Sequence, residues 1–264
     1  MDGLLKGKIA IITGAGSGVG RAASLLFARH GAQVVAADVD AARIEETVAL
    51  AANEGLTIVS QSCNVADANE VDALVAAAVK AHGRLDIIYN NAGITVQVTA
   101  DPASRSFLHS KQEDTDRLYA VNVGGVINGC KAAIRQFEAQ GTGGVIVNTA
   151  SVAGLVGYGS VIYGSTKGAV TTLTRALAME VAAKGIRVNS VCPAGMPTNF
   201  FPGLGENPAA RASMGQAHPL GRLIEPEDCA NGALFLASDL ASNITGVNMP
   251  VDGGLSAGIP MRKA

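Results

Sequence analysis

The sequence predicts an α/β fold, a doubly wound parallel sheet with helices on both faces, and three observations carry that prediction. Short apolar runs alternate with longer helical patterns from end to end. Several of the runs are continuously apolar, as strands are when helices cover both faces of their sheet. A glycine-rich turn, Thr13-Gly14-Ala15-Gly16-Ser17-Gly18-Val19-Gly20, joins the first apolar run directly to the first helical pattern. Alternation of this kind folds through right-handed crossovers into a parallel sheet.

The predicted strands are Lys8–Thr13, Gln33–Asp38, Thr57–Cys63, Leu85–Asn90, Gly144–Thr149, Gly185–Cys192 and Asn248–Val251. Between them the 3.6-residue pattern predicts helices over Arg21–His30, Ala41–Asn53, Ala68–Ala81, Thr115–Glu138, Tyr163–Ala183 and Pro226–Ala237. No composition shift or flexible linker divides the chain, so residues 1–264 are expected to form one domain. Thr95–Glu113 and Thr198–His218 read as long irregular segments, the kind that serve as binding loops or lids.

Composition excludes several classes of function. The chain has 264 residues, of which 48% are hydrophobic and only 16% charged, with a net charge of −2. Nothing there resembles the basic footprint of a nucleic-acid binder, and the absence of Trp argues against a base-stacking surface. No apolar run approaches the roughly 18 residues of a membrane span. Cys63, Cys130, Cys192 and Cys229 are isolated, with neither CxxC spacing nor a His cluster, so they predict buried thiols and no metal site. With the first strand beginning at Lys8, no room for a secretory leader is evident, and reduced cysteines point to the cytoplasm.

The glycine turn predicts a nucleotide site. Glycines let the chain turn sharply and bring backbone N–H groups against a pyrophosphate. The helix that follows, starting near Val19, aims its positive end at the anion. Asp38 closes the second strand, 18 residues beyond Gly20, where a carboxylate accepts both ribose hydroxyls of an adenosine and repels a 2′-phosphate. Val39 follows it in place of a basic side chain. NAD is therefore expected rather than NADP, with Arg43, one turn on, as the residue that argues the other way. The alternative task for Asp38 is to cap the next helix, for which Asp40 is better placed.

Tyr163 and Lys167 are four residues apart at the start of a helix, so they share one face. A tyrosine of ordinary pKa, about 10, is a poor base near neutrality; a lysine ammonium one turn away is expected to stabilise its phenolate, with an oxidised nicotinamide ring adding further positive field. Ser151 follows the strand Gly144–Thr149, at the carboxyl end where open α/β sheets bind ligands. Its hydroxyl is positioned to donate to a substrate oxygen and stabilise a developing alkoxide.

These residues resemble the short-chain dehydrogenases/reductases over Gly7–Gly254, with a Rossmann-like fold. The motifs fall in the family's order: Thr13-Gly14-(x)3-Gly18-x-Gly20, Asn90-Asn91-Ala92-Gly93, Asn122, Ser151, Tyr163-x-x-x-Lys167 and Asp252-Gly253-Gly254. The resemblance implies that Tyr163 is the acid/base, Ser151 polarises the substrate oxygen, Lys167 binds the nicotinamide ribose, and Asn122 holds a proton-relay water. It further implies cofactor contacts at Gly14, Ser17, Gly18, Val19, Gly20, Asp38, Val39, Asn64, Val65, Asn91, Ala92, Gly93, Tyr163, Lys167, Pro193, Gly195, Met196 and Thr198. Two positions depart from the family. Asn64 stands where it usually has Asp, and Pro193-Ala194-Gly195 replaces its Pro-Gly. A homotetramer is expected, with Thr115–Glu138 and Tyr163–Ala183 as candidate packing helices.

The expected reaction is an NAD-linked exchange between an alcohol and its carbonyl compound, leaning toward oxidation. Phe200, Phe201, Leu204 and Met214 in the lid, with Phe107 and Leu108 in the other loop, predict a small-molecule substrate on an apolar frame: an alicyclic, terpenoid, aryl or steroid secondary alcohol. The rivals are a 3-oxoacyl reductase of fatty-acid synthesis, which Asp38 and Val39 oppose, and an NAD-binding member without turnover, which the intact triad opposes.

Overall fold

The computed structural model describes residues 3–96, 106–198, 200 and 207–258. Phe201, Leu204 and Glu206 of the expected lid, and 97–105 of the other expected loop, lie outside them. Seven parallel strands form one sheet in the order β3-β2-β1-β4-β5-β6-β7. They are β1 Ile9–Thr13, β2 Gln33–Asp38, β3 Ile58–Ser62, β4 Ile87–Asn90, β5 Gly144–Thr149, β6 Ile186–Pro193 and β7 Asn248–Val251. The winding reverses between β1 and β4, and crevices at such a reversal hold ligands beyond the strand carboxyl ends.

Eight α-helices are described: α1 Gly18–Arg29, α2 Ala41–Asn53, α3 Ala68–His82, α4 Gln112–Tyr119, α5 Gly125–Gln140, α6 Val161–Val181, α7 Pro208–Gln216 and α8 Pro226–Ala237. One apolar layer packs α3, α5 and α6 on the sheet through Leu74, Phe137, Val170 and Ile11. The other packs α1, α2 and α8 through Phe27, Ile44, Leu234, Ala10 and Ile12. Ile11 therefore faces opposite to its neighbours in β1, the alternation of a strand with a core on each side.

Three expectations change. The helix predicted over Thr115–Glu138 is α4, then a wide π-helical turn over Ala120–Gly124, then α5. One extra residue in that turn breaks the 3.6 period that the sequence pattern seemed to carry through. Helix α1 starts at Gly18 rather than Arg21, because glycines carry no helical signal. Within the expected irregular lid stands α7, started by Asn207, whose side chain accepts from the N–H groups of Ala209 (3.0 Å) and Ala210 (3.1 Å), and by Pro208 in the first turn. Among the described residues no helix is long and apolar enough to cross a membrane. All four cysteines are buried and unpaired.

Candidate active site

Helix α6 and the turn after β5 bring the three expected reactive side chains together. Ser160 caps α6, its hydroxyl accepting from the N–H of Tyr163 at 3.3 Å, which fixes Tyr163 in the first helical turn. Lys167 follows one turn on, only 2% exposed, its Nζ 5.7 Å from the centre of the Tyr163 ring. That ammonium donates to the carbonyl of Thr149 in β5 at 2.8 Å. Ser151 is buried, accepts from the N–H of Ala153 (3.2 Å) and donates to the carbonyl of Pro193 at the end of β6 (3.2 Å). Phe200 sets its ring edgewise to Tyr163, with centroids 6.1 Å apart and planes at 71°.

Without the nicotinamide charge that the expected activation also draws on, the lysine does not bring the phenol toward neutrality. Burial pushes the Tyr163 phenol up to about 12, with the Ser151 side chain the opposing influence, even though the serine's own proton goes to Pro193. Burial likewise brings the Lys167 ammonium down to about 8. Both charged forms lose water here, and the ammonium is spent on a backbone carbonyl. A further positive charge beside the phenol is what this pair lacks.

The glycine turn fits a dinucleotide pyrophosphate. Ser17 precedes α1 in extended conformation and makes no capping bond, which leaves the first-turn N–H groups open to an anion. Gly18 takes φ +50°, and a Cβ there would meet only the Thr198 side chain, at 3.5 Å. Val19, next along, is half-buried. Gly20 packs so closely on Gly14 that any side chain would displace its carbonyl. Arg21, unremarked in the sequence, donates to the carbonyl of Gly16 at 2.5 Å and pairs with Glu46, bracing the turn from behind. Asp38 does stand at this turn: its carboxylate accepts from the N–H of Gly16 (2.9 Å) and of Asp40 (3.1 Å). Asp40, not Asp38, caps α2. Val39 is exposed beside them.

At the end of β4, the Asn91 amide donates to the Thr13 carbonyl (3.0 Å) and accepts from the Thr149 hydroxyl (3.1 Å). The N–H groups of Asn91 and Ala92 both donate to the Thr13 hydroxyl at 3.1 Å. Thr13 and Thr149 are thus the hidden fasteners of this corner. Their only sequence signal is a hydroxyl at the last position of an apolar strand. Gly93 lies against the site, where a Cβ would sit 3.5 Å from Lys167 Nζ and 3.3 Å from Asn122 Oδ1.

Asn122 is fully buried in the π turn, and its side chain is already committed. It accepts from the N–H of Ile94 (2.8 Å) and gives its amide protons to the Ile94 carbonyl (2.9 Å) and the Thr166 hydroxyl (3.2 Å). A relay held by this side chain would have only the second lone pair of Oδ1 to use. Asn64 is exposed and its amide oxygen accepts from Ala66 N–H at 3.1 Å, while Val65 is buried against Gly125.

Beyond β6, Met196 is buried and its carbonyl accepts from Thr198 N–H at 2.9 Å. A Cβ on Gly195 would lie 3.8 Å from Met214 of α7, so this helix returns to the end of β6. Phe107 and Leu108 do not join it. They sit on a short 3₁₀ turn with exposures of 61% and 82%, facing water rather than a pocket.

Residues 14–256 match a family model described as "Enoyl-(Acyl carrier protein) reductase". The chain is 38% identical to the 3-oxoacyl-[acyl-carrier-protein] reductase of Thermotoga maritima, over 95% of this chain and 98% of that protein. It is 39% identical to the meso-2,3-butanediol dehydrogenase of Serratia marcescens, over 95% of each. A cyclohexanol dehydrogenase of an Acinetobacter species is 38% identical, over 97% of this chain and 98% of that one. Among solved structures, a short-chain type dehydrogenase/reductase from Mycobacterium marinum superposes with a TM-score of 0.88 at 33% identity, covering 96% of this chain and 97% of that one. A matching family model over almost the whole length, joined to this sheet, places the chain in the short-chain dehydrogenase/reductase family, as an oxidoreductase of the alcohol dehydrogenase/reductase type.

Proposed function

We propose that the chain interconverts a secondary alcohol on an apolar frame and its ketone, with NAD as the hydride partner. The observation that carries this reading is the meeting of Ser151, Tyr163 and Lys167 at the carboxyl edge of β5 and β6, with Phe200 against the tyrosine ring. When bound, the nicotinamide exchanges hydride with the substrate carbon and brings positive charge to the site. In oxidation Tyr163 Oη takes the hydroxyl proton, Ser151 exchanges its weak bond to Pro193 for the substrate oxygen, and Lys167 holds the ribose while lowering the cost of the phenolate. Asn122 keeps the chain beside Gly93 in register. Gly14, Ser17, Gly18, Val19 and Gly20 receive the pyrophosphate, with Thr198 above them. Asn91, Ala92, Gly93, Pro193, Gly195 and Met196 bound the nicotinamide half, and Asn64 and Val65 the adenine.

The choice of NAD rests on Asp38, whose carboxylate is held at the turn by two backbone N–H groups. Arg43, the cation that would favour a 2′-phosphate, pairs with Asp40 at 3.3 Å. NADH absorbance over a panel of secondary alcohols tests the reading: alicyclic alcohols should turn over with higher kcat/KM than open-chain polyols, and the reverse order would overturn the apolar frame. A second reading, reduction of a 3-oxoacyl thioester, draws on the Thermotoga relative. Preference for NADPH and an acyl-carrier substrate would decide for it. We also propose a homotetramer, which light scattering should show as about four times 26.6 kDa.

A further inference from the structure

Tyr158 lies between Ser151 and Tyr163, just before the capping residue of α6, and the reaction proposed above leaves it without a task. Its hydroxyl nevertheless reaches the site. A Cβ on Gly195 would stand 3.3 Å from Tyr158 Oη and 3.8 Å from Met214 Cε, so the phenol spans from the Ser151 segment to the strand end opposite, beside the lid helix. That same strand end receives the Ser151 hydroxyl through Pro193. Gly195 contributes no side chain, and the vacant position is what gives the hydroxyl its room.

Among the described residues Tyr158 Oη has no hydrogen-bond partner, in a site where the Ser151 hydroxyl, the Lys167 ammonium and the Asn122 amide are committed. The residue is 41% exposed, so water serves the hydroxyl while the site is open. The Met214 methyl lies near the same vacant Gly195 position, so an apolar side chain shares the space into which the hydroxyl points. A substrate that fills this space displaces the water. A purely hydrocarbon frame would leave the hydroxyl stranded, whereas a frame bearing a second oxygen would satisfy it, and sites built this way discriminate by the unpaired group as much as by the new bond.

We infer that Tyr158 is a specificity-determining residue whose hydroxyl hydrogen-bonds a second oxygen on the substrate's ring. This makes the preferred substrates cyclic diols or hydroxyketones, and it rests on the alcohol-oxidation reading above. The test compares kcat/KM for cyclohexanol with that for the 1,2-, 1,3- and 1,4-cyclohexanediols at saturating NAD. One of the diols should exceed cyclohexanol by at least about tenfold, the factor that one hydrogen bond of about 1.4 kcal/mol represents.

Tyr158→Phe should collapse that preference ratio by about tenfold, chiefly through the KM of the diol. Gly195→Ala, which crowds the hydroxyl while leaving Tyr158 in place, should reduce the same ratio. A wild-type enzyme that prefers cyclohexanol, or a ratio that both variants leave within twofold, overturns the inference while the proposed function stands. No NADH from any alcohol or diol overturns both.

Discussion

Gly154 packs against the main chain of Lys167 so closely that a Cβ on residue 154 would lie 2.6 Å from the lysine's carbonyl carbon and oxygen. The 3₁₀ turn that carries Ser151 is thereby pressed directly onto helix α6. Gly154→Ala must push the turn and helix apart by several tenths of an ångström. Kcat for the preferred alcohol should fall by about 10²-fold, the order expected when a reacting group is displaced. Melting should show a loss of about 1–3 kcal/mol. An alanine variant with wild-type kcat would mean that the turn can slide without disturbing Ser151.

Tyr163 is the proposed proton-transfer group, and its ring also meets Phe200. Tyr163→Phe keeps that contact and removes only the hydroxyl. Turnover should drop by about 10²–10⁴-fold. NAD binding, followed by calorimetry, should change little. Near-normal turnover in this variant would remove Tyr163 from the mechanism.

Lys167 is held against its own preference, because burial brings its ammonium down to about 8 from the ordinary 10.5. Below pH 8 both folded and unfolded chains hold this proton, and the buried charge opposes folding by on the order of 3 kcal/mol. Between about 8 and 10.5 the unfolded chain holds the proton and the folded one does not, so this group's contribution to stability rises with pH. Lys167→Met should therefore raise the melting temperature of the cofactor-free protein at pH 7 by roughly 2–6 °C, after loss of the bond to Thr149 is deducted. The gain should fade by pH 10.5. Turnover should be largely lost. A variant less stable than wild type at pH 7 would show that the Thr149 bond outweighs the burial cost.

Tyr163 carries the opposite sign. Its phenol is pushed up to about 12 by burial, so between 10 and 12 the folded chain holds a proton that the unfolded chain has lost, and stability falls as pH rises. Absorbance at the phenolate band, wild type minus Tyr163→Phe, should show no ionisation of this residue below about pH 11 without cofactor. Adding NAD should move it lower, since a neighbouring positive charge favours the phenolate. An unchanged titration with saturating NAD would detach Tyr163 from the nicotinamide.

Asp38 and Val39 give the cofactor prediction. Asp38→Ala with Val39→Arg removes the carboxylate beside Gly16 and adds a guanidinium that pairs with phosphate. The ratio of kcat/KM for NADP over NAD should rise by at least 10²-fold. A wild-type enzyme that already used NADP equally well would refute the role of Asp38.

What the sequence by itself determined is whatever a local pattern encodes. Apolar runs of strand length, a glycine turn between strand and helix, and two side chains four apart on a helix each have one inexpensive structural solution. The sheet and the Ser151–Tyr163–Lys167 grouping follow from them. The tertiary structure alone decided the rest, since it depends on groups far apart in the chain. Whether Lys167 faces solvent or a Thr149 carbonyl, and so whether it lowers the phenol or is itself lowered, is a question of burial. The family resemblance gave Asn122 a relay water to hold, yet Ile94, 28 residues away, occupies its side chain. Phe107 and Leu108 looked like pocket walls and face water, because apolar character specifies a wish to be covered and not the partner that covers it. Tyr158 joins the site only because the fold lays Gly195, just beyond β6 and 37 residues further along the chain, beside it.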